Sequence, residues 1–211
     1  MDSHTRLITP VPALQSLGRD HQVLALLADA LDAYAGALAS GAPLLPGDFT
    51  LLVQAWRSFG DQRHYEKEEQ IVTPLLVRSG LDYDLPVLIE ERRARQQLRY
   101  LIAVLEHAAH RELQWSGFER SGINACARTL TEVHRRSSSE QERELFPEIV
   151  TLAPDMLGAL NQQLLRFDAA DDARRQADPA RDVRALLARY GVERAGATAA
   201  GERRSASATG S

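Results

Sequence analysis

The stretch FGDQRHYEKEEQIVTPLL, residues 59–76, places a histidine and a glutamate four positions apart, at His64 and Glu68. In an α-helix such residues lie one turn apart on the same face, so the two side chains can meet. An imidazole and a carboxylate at this spacing can bind a metal ion together, or they can form an ordinary hydrogen bond within the helix. This stretch alone leaves both interpretations open.

A second stretch, EVHRRSSSEQERELFPEI, has the same outline near the other end of the chain. HYEKEEQIVTP and SSSEQERELFP align over eleven positions, and each contains an acidic cluster that is followed by a proline. The two stretches therefore resemble versions of one helix with different chemistry at corresponding positions.

Apolar residues recur every three or four positions through most of the chain, which predicts helices, whereas signals for strands are weak. Glycines, prolines and N-cap residues delimit four long helices, from near Leu14 to the SGAPLLPGD stretch and at about residues 48–73, 86–111 and 120–146. Another helical segment is predicted at about 152–168. Four long helices with short connections favour an all-α, antiparallel up-down-up-down four-helix bundle.

The chain of 211 residues is most simply one domain with appendages. Residues 1–170 are expected to form the bundle, and residues 171–192 a short helical appendage, so that one or two extra helices follow the bundle. Residues 193–211 are small, polar and low in complexity, which predicts a disordered tail.

Polar residues interrupt the apolar stripes at similar heights on all four helices. They lie early in the first and third helices and late in the second and fourth, so alternating chain directions would bring them to the same end of the bundle. A buried polar group without a partner costs ~1–3 kcal/mol, and a buried charge costs more, so a partner such as a metal ion is expected. The set comprises His21, His64, Glu68, Glu91, Ser137 and Gln141.

These motifs resemble the hemerythrin-like (HHE cation-binding) family of four-helix proteins. That family carries a histidine on its first helix, often in an Asp-His pair, which is Asp20-His21 here. Its second helix carries His-x-x-x-Glu, here His64 and Glu68, and its fourth repeats that motif before Leu-Phe-Pro, which ELFPEI reproduces. The resemblance covers about residues 14–165 and rests on spacing across four helices.

The chain departs from the family pattern in the second half of the site. The fourth-helix positions for histidine and glutamate hold Ser137 and Gln141, and Glu91 stands where the third helix would carry histidine. Two metals bridged by carboxylates need most of those ligands, so a di-iron centre that binds oxygen reversibly is not expected. The resemblance then implies one metal ion at most, bound by His21, His64, Glu68 and conditionally Glu91.

Two residues have competing interpretations. Arg95 lies one helical turn after Glu91, so the two can form an ion pair in which a fixed cation replaces a lost metal. If Arg95 points outward instead, Glu91 is free to bind metal. His134, one turn before Ser137, is either a displaced ligand or, as we favour here, a surface residue beside two arginines.

Composition excludes several classes of function. The net charge is −4 and basic residues are mixed with acidic ones, so no nucleic-acid partner is expected. No apolar run approaches the roughly 20 residues that span a membrane, so no membrane partner is expected either. The N-terminal residues lack the features of a signal peptide, which predicts a cytoplasmic protein. Cys126 is the single cysteine and is expected in the core.

The leading functional prediction is a metal-binding protein, with a binding role favoured over an enzymatic one. A set of two histidines and two carboxylates suits Fe(II), Mn(II) or Zn(II), and iron is the metal most expected. The resemblance implies that the metal senses or handles oxygen, peroxide, nitric oxide or iron. The alternative is a metal-free bundle that serves as a regulatory or protein-interaction scaffold. A single-metal oxidoreductase is a third and less favoured hypothesis.

Overall fold

The structure, a computed structural model, describes residues 11–174 and 179–189, which form six helices and no strand. This confirms the predicted all-α class. The predicted tail at 193–211 lies outside the described residues. The helices are α1 (Pro12–Ser40), α2 (48–78), α3 (Pro86–Ala109), α4 (117–151), α5 (Pro154–Arg174) and α6 (Pro179–Arg189).

Two of the helices contain π-helical winding, in which each N–H bonds to the carbonyl five residues earlier. In α2 it covers Trp56–Tyr65 and Glu68–Val72, and in α4 it covers Gln141–Leu145. π-Helical turns are rare and are often found at functional sites. Here all three segments lie on the two helices that carry the related sequence stretches.

Pro74 and Pro147 do not end their helices, so the predicted ends at about 73 and 146 are wrong. Each proline is the second residue of a last α-helical segment, Thr73–Arg78 in α2 and Phe146–Thr151 in α4, and each segment directly follows π-helical winding. Proline breaks a regular α-helix because it lacks an N–H and its ring clashes with the carbonyl four residues earlier. The wider π-helical turn moves that carbonyl aside, so both helices continue.

Buried polar residues separate two apolar clusters along each of the first four helices. Along α1 and α3 the chain passes first through cluster two, at Leu17 and Leu88, and then through cluster one, at Leu24 and Leu98. Along α2 and α4 the order is reversed. We call the buried polar residues between the two clusters the polar layer, and they are Asp20, His21, His64, Lys67, Glu68, Glu91, Arg95, His134, Ser137 and Gln141. Cluster one includes Leu24, Trp56, Leu98 and Leu130, and cluster two includes Leu17, Leu75, Leu88 and Ile149.

Helix packing explains why the four polar segments share one layer. α4 packs against α1 and α3, and α2 packs against the same two helices. α5 and α6 both lie against α1 and α2, and α6 buries Val183, Leu186 and Leu187 in cluster one. α5 continues across the predicted domain boundary at residue 171. Cys126 is half buried beside cluster one.

α1 is long and apolar enough to cross a membrane, contrary to the prediction that no apolar run has that length. Half of its most apolar window is buried inside the fold. A core helix of a soluble protein passes the same test of length and composition, so this feature is weak support for a membrane span. The absence of a membrane partner stays a prediction.

Candidate metal centre

Three of the predicted ligands come together in the polar layer. His21, His64 and Glu68 each offer a ligand atom, and these atoms all lie within 4.8 Å of one another. The three side chains are buried, with relative exposures of 6%, 1% and 4%. Two imidazoles and one carboxylate form a donor set that suits Fe(II), Mn(II) or Zn(II). Glu91 lies outside this group of three.

The contact between His64 and Glu68 has the predicted i,i+4 spacing. His64 Nε2 lies 3.2 Å from Glu68 Oε1, although His64 belongs to one π-helical segment and Glu68 begins the next. α1 supplies the third side chain, and the rings of His21 and His64 meet edge to face with their centroids 5.0 Å apart. α1 and α2 therefore build this group together.

α4 supplies a hydrogen-bond partner for each ring nitrogen of His21. Nδ1 lies 2.8 Å from a Glu142 carboxylate oxygen, and Nε2 lies 2.9 Å from Oε1 of Gln141. The ring also stacks on Phe146 at 5.4 Å between centroids. His21 must therefore exchange one of these hydrogen bonds in order to bind a metal ion.

Asp20 contacts the other side of the His64 ring. Its Oδ2 lies 3.6 Å from His64 Nδ1, a buried atom with no hydrogen-bond partner in the described part of the chain. Burial disfavours the charged imidazole, but the carboxylates of Glu68 and Asp20 outweigh it and raise the pKa of His64 to about 9. A carboxylate behind a metal-binding imidazole orients the ring and increases the basicity of the nitrogen that binds metal.

Glu91 is held by the two residues that stand in for the missing ligands. Ser137 Oγ donates to the carboxylate and lies 3.1 Å from each of its oxygens, and Gln141 Nε2 donates to Oε2. Burial and the neighbouring charge of Glu68 raise the pKa of the Glu91 carboxyl. Gln141 thus connects His21 to Glu91, because its carbonyl oxygen faces His21 and its amide nitrogen faces Glu91.

Arg95 points inward and contacts two carboxylates. Its side chain is 4% exposed, and Nη1 lies 3.5 Å from Glu68 Oε2 and 3.9 Å from Glu91 Oε2. Burial raises the pKa of Glu68, but the charges of His64 and Arg95 lower it further than burial raises it. The contact with Glu91 agrees with the ion-pair interpretation of that residue, and a role of Glu91 as a metal ligand stays a prediction.

A buried ammonium group that the sequence patterns did not predict lies next to the site. Lys67 is the only lysine in the sequence and is completely buried. Its Nζ donates to Ser16 Oγ at 3.1 Å and to Asp20 Oδ2, and lies 2.7 Å from Asp168 Oδ1. Burial raises the pKa of Asp20, but His64 and Lys67 lower it further and hold it below its usual range.

Arg63 completes this network of charges between α1, α2 and α5. It lies 3.5 Å from Asp20, 3.2 Å from Asp168 and 2.8 Å from Asp171. The acidic stretch DAADD of α5 and the lone lysine three positions after His64 are signals that could have revealed the network. Through Asp20, α5 is connected to the orientation of the His64 ring.

His134 is buried, so its predicted position at the surface is wrong. The side chain is 2% exposed, its Nδ1 lies 3.4 Å from the Tyr65 hydroxyl, and its ring meets Trp56 edge to face at 5.3 Å. His134 shares the inward stripe of Ser137, one turn away, which explains its burial. It does not belong to the group formed by His21, His64 and Glu68.

We expect His134 to make the folded protein sensitive to acid. Burial, reinforced by the nearby histidine charges, lowers the pKa of His134 from 6.5 to about 3. Between these values the unfolded chain binds the extra proton, so stability is complete above about pH 6.5 and falls as the pH falls. The free energy of unfolding should drop by about 2–3 kcal/mol more between pH 7 and pH 4.5 in the wild type than in His134→Gln.

Urea unfolding at a series of pH values measures this difference. His107→Gln is the matched control, because His107 is exposed on α3 and should leave the pH dependence unchanged. Equal pH dependence in the wild type and His134→Gln would contradict the assignment of a neutral, buried imidazole.

The donor atoms that converge in the polar layer are of the kinds that bind one metal ion. Two buried imidazoles and a buried carboxylate converge, and the unbonded Nδ1 of His64 faces a carboxylate that can orient the ring. The part of the layer around Glu91 holds Ser137, Gln141 and the guanidinium of Arg95, which supply hydrogen bonds and a fixed positive charge.

Comparison with known proteins agrees with this geometry. The family model for the hemerythrin HHE cation binding domain matches residues 13–149, which is more than half of the chain and includes all the residues of the proposed centre. No curated protein and no solved structure gives a significant match. The chain belongs to the hemerythrin HHE cation-binding domain family.

Proposed function

We propose that this protein binds one divalent metal ion, most simply iron, in an antiparallel up-down-up-down four-helix bundle. His21, His64 and Glu68 are the proposed protein ligands. The observation that carries the proposal is the convergence of these three buried side chains from α1 and α2. Membership of a cation-binding family and the opposite order of the apolar clusters along successive helices support it.

A metal ion held by these three side chains would supply binding positions for a small ligand such as oxygen, peroxide or nitric oxide. The chain's own residues prepare the site for that role. Asp20 orients the ring of His64, and Phe146 covers the ring of His21. We propose sensing or handling of such ligands in the cytoplasm, without a nucleic-acid or membrane partner.

The proposal of one metal ion, and not two, rests on Arg95. Its guanidinium approaches both Glu68 and Glu91, the carboxylates that a second cation would need. A fixed positive charge there opposes a second divalent ion and neutralises the same carboxylates. Glu91 remains a conditional fourth ligand, because Ser137, Gln141 and Arg95 would have to release it.

A metal-free scaffold is the second candidate, and a specific observation favours it. The polar layer satisfies most of its groups internally, since His21 has two hydrogen-bond partners and Glu91 accepts from Ser137 and Gln141. Such a layer can hold four helices together without metal. The protein would then act through a partner that binds its surface.

Elemental analysis of untagged protein, produced with iron, manganese and zinc supplied, separates the two candidates. We expect about one equivalent of metal per chain in the wild type and none in His64→Ala, because a three-residue site does not hold its ion after loss of one imidazole. Circular dichroism would show that the variant is folded. About two equivalents would contradict the role of Arg95, and no metal in a folded wild type would favour the scaffold.

A further inference from the structure

A groove lies beside the metal centre, between the end of α2 and the first turns of α3. Its volume is about 430 Å³, and it is open to solvent. Apolar atoms form much of its wall, from Pro74 and Val77 of α2 and from Tyr83 in the connection to α3. Three arginines complete the lining, namely Arg78, Arg92 and Arg95.

Arg92 is held in place at one wall of this groove. Its guanidinium lies 3.9 Å from the centroid of the Tyr83 ring, and Nη1 donates to the Tyr83 carbonyl at 2.9 Å. Asp84 is the nearest acidic partner, at 4.0 Å, and that carboxylate is exposed to solvent. A guanidinium that is stacked on a ring and bonded to a carbonyl is already ordered, so little entropy is lost when it binds a ligand.

Arg95 connects the groove with the metal centre. Within the described part of the chain, its one hydrogen bond is the long contact of Nη1 with Glu68, at 3.5 Å. The guanidinium carries five N–H donors, and its side chain forms part of the groove wall. An acceptor placed in the groove can therefore gain stronger hydrogen bonds from Arg95 than Glu68 receives now.

The groove carries a net positive charge. Glu69 is its single acidic lining residue, and Arg99 Nη2 already binds that carboxylate at 2.6 Å. Three arginines around an apolar wall match a ligand that has one anionic group and an apolar body. A guanidinium presents paired donors that suit a carboxylate in particular.

We propose that this groove binds a small organic carboxylate. Arg92 and Arg95 bind its carboxylate group, and its apolar part packs against Pro74, Val77 and Tyr83. Binding draws Arg95 away from Glu68. This second step rests on the proposed metal-binding function. Because coupling between two sites is reciprocal, a carboxylate in the groove then increases the affinity for metal, and metal increases the affinity for the carboxylate.

Benzoate is a suitable probe, and its binding to the metal-free full-length protein can be followed by chemical-shift changes in NMR spectra. We expect a dissociation constant of about 1 mM, an order that is ordinary for so small a ligand. Arg92→Gln should weaken binding about fivefold or more. Arg93→Gln is the matched control, because Arg93 is exposed one position away, pairs with Glu90 and does not line the groove.

Two further ligands test separately how much the charge and the apolar part of the ligand contribute to binding. Benzyl alcohol should bind much more weakly than benzoate, and so should inorganic phosphate. If benzyl alcohol bound as tightly as benzoate, the proposed role of the arginines would be overturned. If phosphate bound more tightly than benzoate, the proposed role of the apolar wall would be overturned. No binding of benzoate, or equal losses in Arg92→Gln and Arg93→Gln, would overturn the site itself.

Titration of the protein with Mn(II), with and without saturating benzoate, tests the coupling. We expect saturating benzoate to tighten metal binding about threefold to tenfold in the wild type, and we expect Arg92→Gln to need about five times more benzoate for the same effect. Binding of benzoate without any change in metal affinity would overturn the coupling. If no metal binds while benzoate does, the proposed function fails and the groove site stands without its link to metal.

Discussion

We expect replacement of Lys67 by methionine to lower the free energy of unfolding by about 2–4 kcal/mol. Lys67 is completely buried, and its ammonium group contacts Ser16, Asp20 and Asp168. Methionine has a similar length, so the loss of volume is small. The cost arises because the buried carboxylate of Asp20 and the partly buried carboxylate of Asp168 lose a cation that neutralised them, and Arg63 covers only part of that loss.

Chemical denaturation of the metal-free protein measures this effect. Arg93→Met is the matched control, since Arg93 forms an exposed pair with Glu90 and should change stability by less than about 0.5 kcal/mol. A loss in Lys67→Met no larger than in the control would contradict the view that this network stabilises the fold.

The same residue offers a direct test of the contact with α5. Because Lys67 is the only lysine in the sequence, an amine-reactive reagent reports the exposure of one known side chain. The folded wild type should be labelled slowly at Lys67, and Asp168→Asn should be labelled faster, because Asp168 contributes a contact of 2.7 Å from α5. Mass spectrometry of the labelled chain distinguishes the two rates.

Local patterns in the sequence predicted which of the polar side chains meet in the polar layer. The spacing of His64 and Glu68 gave their contact of 3.2 Å, and the position of Asp20-His21 early in α1 brought His21 beside them. These predictions needed only helical periodicity and short connections between helices. The all-α class followed from the same pattern, because the apolar spacing of four long segments allows no competing strand arrangement.

Features that depend on non-local packing could not be predicted in this way. The prolines at positions 74 and 147 predict helix ends, because the sequence does not show that π-helical winding precedes them. The two arginines that follow His134 predict a position at the surface, although the side chain of His134 itself lies on the inward stripe. The network around Lys67 depends on how α5 packs on α1 and α2, a contact between residues about a hundred positions apart in the chain.

The orientation of Arg95 was the open question with the largest chemical consequence. Either orientation satisfies helical spacing, since Arg95 lies one turn after Glu91 in both cases. Burial of two carboxylates in one layer decides it: Glu68 and Glu91 need positive charge nearby, and Arg95 is the guanidinium on α3 that reaches both. The structure therefore has a protein cation beside two buried carboxylates of the polar layer.

We expect Arg95→Gln to change stability and metal affinity in opposite directions. In the metal-free protein the variant should lose about 2–4 kcal/mol of stability, because Glu68 and Glu91 keep their burial and lose their guanidinium. For metal binding, the substitution removes a positive charge 3.5 Å from a proposed ligand. Removal of that repulsion should tighten metal binding by about tenfold to a hundredfold.

Arg99→Gln is the control that separates these effects from a general loss of charge. Arg99 lies one turn further along α3, is 35% exposed, and pairs with the partly buried Asp61 and the exposed Glu69. It should change stability by less than about 1 kcal/mol and leave metal affinity nearly unchanged. Thermal unfolding with and without added Mn(II) gives both quantities on each protein, because the stabilisation of the folded state by a ligand grows with the logarithm of its affinity.

A loss of stability together with a gain in metal affinity is the informative outcome, because simple damage to the fold would lower both. If Arg95→Gln loses both, Arg95 is a structural residue that supports the metal ligands and does not compete with the metal. If it gains metal affinity while it loses stability, the guanidinium and the metal ion neutralise the same carboxylates, and each reduces the need for the other. A rise to about two metal ions per chain would go further, because it would mean that Arg95 alone excludes the second ion although Ser137 and Gln141 remain in place.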